Sequence, residues 1–164
     1  MADAGDPPPG GKLTDPWRSA ARTAETTWDG ALTSETGLIG MSSGAAGELT
    51  VTWASRTEDP DGKTSPEELA AAAHSACYAT ALALRLGEHK TVPERLTVAA
   101  PVTLDEARGV PAIVSSRLRV SAKVPGLDVA GFQAVTGEAS ELCPVSRLFA
   151  GAKITVEAVL ETDW

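Results

Sequence analysis

SPEELAAAAHSACYATALALRLG, residues Ser65 to Gly87, reads as one long helix with a cysteine at its middle. Ser65 suits the N-cap, where a hydroxyl accepts from an orphan N–H of the first turn. Pro66 fits the first helical position, which needs no N–H. Glu68 stands three residues after the cap and completes a capping-box pattern. The interior is rich in Ala and Leu, strong helix formers. Gly87 is placed to end the helix in the left-handed conformation. The segment is apolar almost all round, which predicts a buried helix. The run Ala70 to Ala73 carries little bulk and permits close approach by a neighbour.

Downstream of this helix, Arg95 to Leu104 (RLTVAAPVTL) reads as a strand with an edge or bulge at Pro101. Asp105 to Gly109 reads as a turn and Ala112 to Val124 as a second strand. Asp128 caps a predicted helix over Val129 to Leu142. Cys143-Pro144 interrupts it, a short helix follows from Pro144 to Ala150, and Lys153 to Leu160 is a final strand. Upstream, Ala20 to Trp28 is a strand, Asp29-Gly30 a type I′ hairpin turn, and Ala31 to Thr36 the return strand. Gly37 to Gly47 reads as loop. Glu48 to Ser55 (ELTVTWAS) alternates as a strand, and Arg56 to Thr64 is a polar loop. Without βαβα alternation, the expected class is α+β with antiparallel sheet.

The chain of 164 residues, 43% hydrophobic and 22% charged, matches a single globular domain. Residues 1–19 are rich in Pro, Gly and Asp and read as a disordered tail before a domain over 20–164. A net charge of -8 argues against nucleic acid or anionic membrane as partner. The long helix could span a bilayer by length, but it holds His74 and Arg85 and begins with two glutamates. The first residues, MADAGDPPPGGK, lack the pattern of a secretory signal, which points to the cytoplasm and to reduced thiols.

Two cysteines carry the possible chemistry. Cys77 alone suits an inert core thiol. Cys143, before Pro144, sits at a helix N-cap, where the macrodipole favours a thiolate. The two thiols either face each other as an attacking and resolving pair or never meet; their spacing does not decide. His74 lies one turn before Cys77. With both cysteines it would make three zinc ligands, but no clustered ligand spacing supports a metal site. No Ser-His-Asp signature, phosphate-binding loop or C-x-x-C motif is present.

SPEELAAAAHSAC (Ser65 to Cys77), CPVS (Cys143 to Ser146), VPGLD (Val124 to Asp128) and the Trp28-Asp29-Gly30 segment resemble the OsmC/Ohr family of thiol peroxidases, in its OsmC branch. The resemblance spans about Ala20 to Leu160. It implies an intertwined α+β homodimer, with antiparallel sheets around a long central helix and active sites at the interface. It implies reduction of organic hydroperoxides, in preference to hydrogen peroxide, by cysteine without metal or cofactor. By motif, Cys77 is the peroxidatic residue, Cys143 the resolving residue and Glu67 the family glutamate. The family arginine falls on Arg56, or on Arg18 or Arg22 by the spacing of the Ohr branch. An external dithiol, from a lipoyl protein or a small thiol, would regenerate the enzyme. The alternative on the same fold is a non-catalytic redox sensor or ligand-binding protein.

Thiol chemistry explains why such groups would be needed. A thiolate cleaves the O–O bond, and burial opposes the thiolate, so a cation must oppose burial. Arg56 would supply charge and donors, and Glu67 would hold it by a bidentate pair. Glu67 and Cys77 are ten residues apart on one helix, about 15 Å along its axis. Arg56 must bridge that gap, or the partner chain must supply the pair. Tyr78, Leu82, Leu142 and Phe149 are candidates to line an apolar substrate site.

Overall fold

The computed structural model describes residues 20–162. The expected tail and Arg18 lie outside the described residues. An N-terminal sheet of β1 (Ala24–Trp28), β2 (Gly37–Met41) and β3 (Glu48–Val51) is antiparallel throughout. The short helix α1 (Trp53–Thr57) and the long helix α2 (Pro66–Glu88) follow. Then come β4 (Arg95–Ala99), β5 (Val102–Ala107), β6 (Val110–Lys123), α3 (Val129–Leu142), α4 (Pro144–Leu148) and β7 (Lys153–Leu160). The class is α+β, as expected.

The second sheet is built on β6. β4 and β5 pair antiparallel with successive parts of it, and β7 pairs parallel with it. The all-antiparallel expectation therefore fails at one pair: α3 and α4 form a crossover that returns β7 beside β6 in the same direction. The expected strand Arg95 to Leu104 is split at Ala100-Pro101, because proline cannot donate to the ladder there; the Pro101 carbonyl instead accepts from the Arg117 N–H at 2.9 Å. The turn after β5 is shorter than expected. Only Arg108 and Gly109 lie outside strands, both with positive φ (55° and 80°), the geometry of a two-residue hairpin.

Tyr78, Leu82 and Leu86 from α2 pack with Leu118, Val120 and Ala122 from β6 and with Phe132, Val135 and Ala139 from α3. Cys143 belongs to the same cluster. The start of α2 is where predicted: Ser65 accepts from the Glu68 N–H at 3.1 Å and Pro66 opens the helix, but the capping box is half formed, because the Glu68 carboxylate accepts from the Thr64 hydroxyl at 2.7 Å. Its end is not. Gly87 stays helical, the helix runs to Glu88, and Lys90 takes the left-handed conformation (φ 59°). Nor is α2 buried all round. Ala72, Ala73, Ala76, Thr80 and Ala83 form an exposed stripe of small side chains. By length and composition α2 could cross a membrane. Its fully buried His74, Tyr78, Leu82 and Leu86 make it the core helix of this fold.

The N-terminal sheet departs most from expectation. The return strand is β2, within the segment expected to be loop, and residues 29–36 connect the strands in place of a two-residue turn. Gly37 faces the Trp28 ring so closely that a Cβ there would stand 2.6 Å from a ring carbon. The glycine is thus a packing device and not a loop marker. β3 stops at Val51, because Thr52 and Ser55 form a reciprocal capping box that starts α1. Ile39 and Val51 are buried apart from the main core cluster. The Ser55 hydroxyl donates to the Thr64 carbonyl at 2.8 Å, and the Thr64 N–H donates to the Thr50 carbonyl at 2.9 Å, tying this sheet to the start of α2.

Candidate active site

Cys77 projects from the middle of α2, and Cys143 stands at the joint where α3 ends and α4 begins. Both are free thiols, and their sulfurs are 3.2 Å apart in a shared hydrogen bond. The fold thus brings together two residues separated by 66 positions. Cys143 is fully buried, whereas Cys77 is partly accessible. Cys143 is the N-cap of α4, yet its side chain makes no cap hydrogen bond; its sulfur faces Cys77 instead. The N–H of Val145, in the first turn of α4, hydrogen-bonds Cys77.

The forces on the Cys77 thiol run mostly one way. Burial pushes its pKa up, the Val145 N–H pulls it down, and Cys143 pushes it up. None of these influences is a cation. The expected helper stands elsewhere: Arg56 Nε donates to Glu67 Oε1 at 2.9 Å. The pair is a single contact and not the expected bidentate one, and Glu67 Oε2 is buried without a partner. Arg56 itself lies on α1, whose capping box fixes it beside the N-terminus of α2. Arg22 is exposed and bonds only its neighbour's carbonyl, at Ala21.

His74, left open by the sequence, is an internal brace. Its Nδ1 lies 2.7 Å from Ser116 Oγ on β6, and its Nε2 lies 2.9 Å from Ser146 Oγ on α4. Phe149 meets the ring edge-on, with centroids 5.1 Å apart. Burial lowers the His74 pKa, in the direction that favours the neutral ring. With both nitrogens engaged by serines, the ring has none to offer a zinc ion shared with the cysteines. Of the expected lining residues, Tyr78 and Leu82 are fully buried core, and Tyr78 Oη donates to the Thr136 carbonyl at 2.8 Å. Leu142 and Phe149 are half-buried.

A family model described as OsmC-like protein matches residues 59–158. The chain is 33% identical over 141 residues to Peroxiredoxin OsmC of Escherichia coli (strain K12), which covers 86% of this chain and 97% of that relative. The chain belongs to the OsmC-like family.

Solved OsmC/Ohr structures share its fold. The organic hydroperoxide resistance protein OhrB of Bacillus subtilis is 26% identical, with a TM-score of 0.66 over 84% of this chain and 98% of its own. An OsmC-like protein of Vibrio cholerae O1 biovar eltor, 16% identical, matches in fold with a TM-score of 0.71 over 86% of this chain and all of its own. Within this OsmC-like chain, sequence reasoning missed Ser116, Ser146 and the Val145 N–H. Ser146 and Val145 lie in the quoted CPVS motif. Nothing in the sequence pairs Ser116 with a histidine 42 positions away.

Proposed function

We propose that this chain is a cofactor-independent two-cysteine peroxidase that reduces organic hydroperoxides to alcohols. The observation that carries the reading is the 3.2 Å separation of Cys77 and Cys143. A disulfide needs about 2.0 Å, so closing the gap takes only about 1 Å of movement. Cys77 is the attacking sulfur because it is the accessible one of the two.

In the reaction, the Cys77 thiolate attacks one peroxide oxygen. The O–O bond breaks, and the other oxygen leaves as an alkoxide that takes a proton. Cys77 is then a sulfenic acid. Cys143 attacks that sulfur, the S–S bond forms, the S–O bond breaks, and water departs. An external dithiol reduces the disulfide by exchange. The cytoplasm, where such dithiols are kept reduced, suits this cycle.

Cys77 still needs a cation, and we place Arg56 and Glu67 of a second copy there, in a homodimer. Three observations support this. The pair is held at the N-terminal end of α2, about 15 Å from its own Cys77. Glu67 Oε2 is buried without a partner in the single chain. The small-residue stripe of α2 is exposed, and so is Trp53, one turn before Arg56 on α1. In such a site the guanidinium would stabilise the thiolate and the departing alkoxide together. The apolar side chains nearby favour bulky organic hydroperoxides over hydrogen peroxide.

Steady-state assay with cumene hydroperoxide and excess dithiothreitol tests the reading. Many turnovers per chain, with slower consumption of hydrogen peroxide, are expected. A single oxidation without turnover would show a sensor and not an enzyme.

A further inference from the structure

We propose that His74 is a positioning residue: clamped between Ser116 and Ser146, it fixes the α4 turn so that Cys143 stays in reach of Cys77 while the disulfide forms. The inference rests on the two-cysteine reading and concerns its second step.

The geometry of α4 carries it. This helix has five residues, none of them fully buried, and among them the core cluster takes a partly buried apolar side chain from Val145 alone. It nevertheless bears directly on the reacting sulfurs. Cys143 is its N-cap, and the Val145 N–H reaches Cys77. Besides Val145, which packs on the core cluster, and Cys143, which faces Cys77, two side-chain contacts tie the segment to the body, and both end on one ring. Ser146 Oγ meets His74 Nε2 at 2.9 Å, and Phe149 packs on the ring edge at 5.1 Å. The ring is anchored behind by Ser116 Oγ, 2.7 Å away on the central strand β6. A continuous chain therefore runs from β6 through Ser116, His74 and Ser146 to the turn that carries Cys143. Because His74 sits three residues before Cys77 on α2, the brace and the attacking sulfur share one rigid element.

The step it serves is geometrically demanding. Cys143 must approach the Cys77 sulfenic acid in line with the departing oxygen, so that S–S bond formation and S–O bond breaking occur together and water leaves. A turn that wanders loses this alignment even when both cysteines are intact. His74 touches no reacting atom, and Ser146 is its handle on α4.

The experiment compares wild type, Ser146→Ala and Ser146→Thr after one equivalent of cumene hydroperoxide, with dimedone present to trap sulfenic acid. Mass spectrometry reads the ratio of dimedone-labelled Cys77 to Cys77–Cys143 disulfide. Wild type is expected to give mainly disulfide. Ser146→Ala is expected to raise the ratio at least tenfold, and Ser146→Thr, which keeps the hydroxyl, to return it toward wild type. The ratios are compared at a temperature where circular dichroism shows all three proteins folded, so that a general loss of stability does not move them. An unchanged ratio in Ser146→Ala, or no return in Ser146→Thr, overturns the inference and leaves the peroxidase reading standing. Wild type that forms neither product overturns both.

Discussion

Arg56 is held by Glu67 through one bond of 2.9 Å, at the opposite end of the helix half that carries Cys77. The guanidinium proposed to assist the thiolate is therefore fixed at the N-terminal end of α2, about 15 Å along the helix from Cys77 of its own chain. The proposed homodimer would resolve this by exchanging the pair between copies. Mixed dimers test the exchange. A Cys77→Ser chain is expected to be inactive alone, and a Glu67→Ala chain weakly active. Combined, they would rebuild one intact site per heterodimer and recover activity. Absence of recovery in verified heterodimers would show that sites are not shared.

Removing the guanidinium should cost the first step most. Arg56→Ala is expected to slow Cys77 oxidation by about 100- to 1,000-fold, the usual loss for one preorganised donor at a developing negative charge. Arg56→Lys should restore little, since an ammonium lacks the planar fork. Stopped-flow rates of single-turnover oxidation measure both. A loss under threefold in Arg56→Ala would remove Arg56 from the site.

The pH dependence follows from burial. Burial raises the Cys77 pKa, so the uncharged thiol is favoured and the reactive fraction grows as pH rises. A neighbouring guanidinium works in the opposite direction and lowers the pH at which the thiolate appears. Alkylation of Cys77 by iodoacetamide, followed in Cys143→Ser across pH 5 to 10, is expected to rise at higher pH when Arg56→Ala is added. Superimposable profiles would mean that Arg56 does not act on this sulfur.

Gly37 provides a test of the fold. An added Cβ would meet the Trp28 ring at 2.6 Å and Val51 Cγ1 at 2.9 Å. Gly37→Ala is therefore expected to destabilise by about 1–3 kcal/mol, the usual cost of overpacking. Gly40→Ala, with nothing within 4 Å, should be much milder. Denaturant midpoints compare the two.

What the sequence made legible, and what it hid, divides along physical lines. The start of α2 and the whole of α3 were readable because Ser65 and Asp128 cap them by local hydrogen bonds, and local bonds leave local sequence marks. β7 lies where the sequence analysis puts the final strand, over Lys153–Leu160. β2 was hidden because Gly37 and Gly40 look like loop residues, and only the Trp28 ring across the sheet explains the first of them. α1 was hidden inside an alternating run, since a capping box of Thr52 and Ser55 needs only four residues. Cys77 and Cys143, and the Arg56–Glu67 pair that the proposal brings to them, were reached through motifs. Their distances were not, because the approach of α4 to α2 depends on α3 packing against the sheet. The role of His74 was equally out of view: its two serines come from β6 and α4.

Intact mass before and after one equivalent of an organic hydroperoxide tests the central claim most directly. The wild-type chain should lose two hydrogens as Cys77 and Cys143 join, and Cys143→Ser should instead gain one oxygen on Cys77. A wild-type chain that gains oxygen without losing hydrogen, or Cys77→Ser that reacts as fast as wild type, would contradict it.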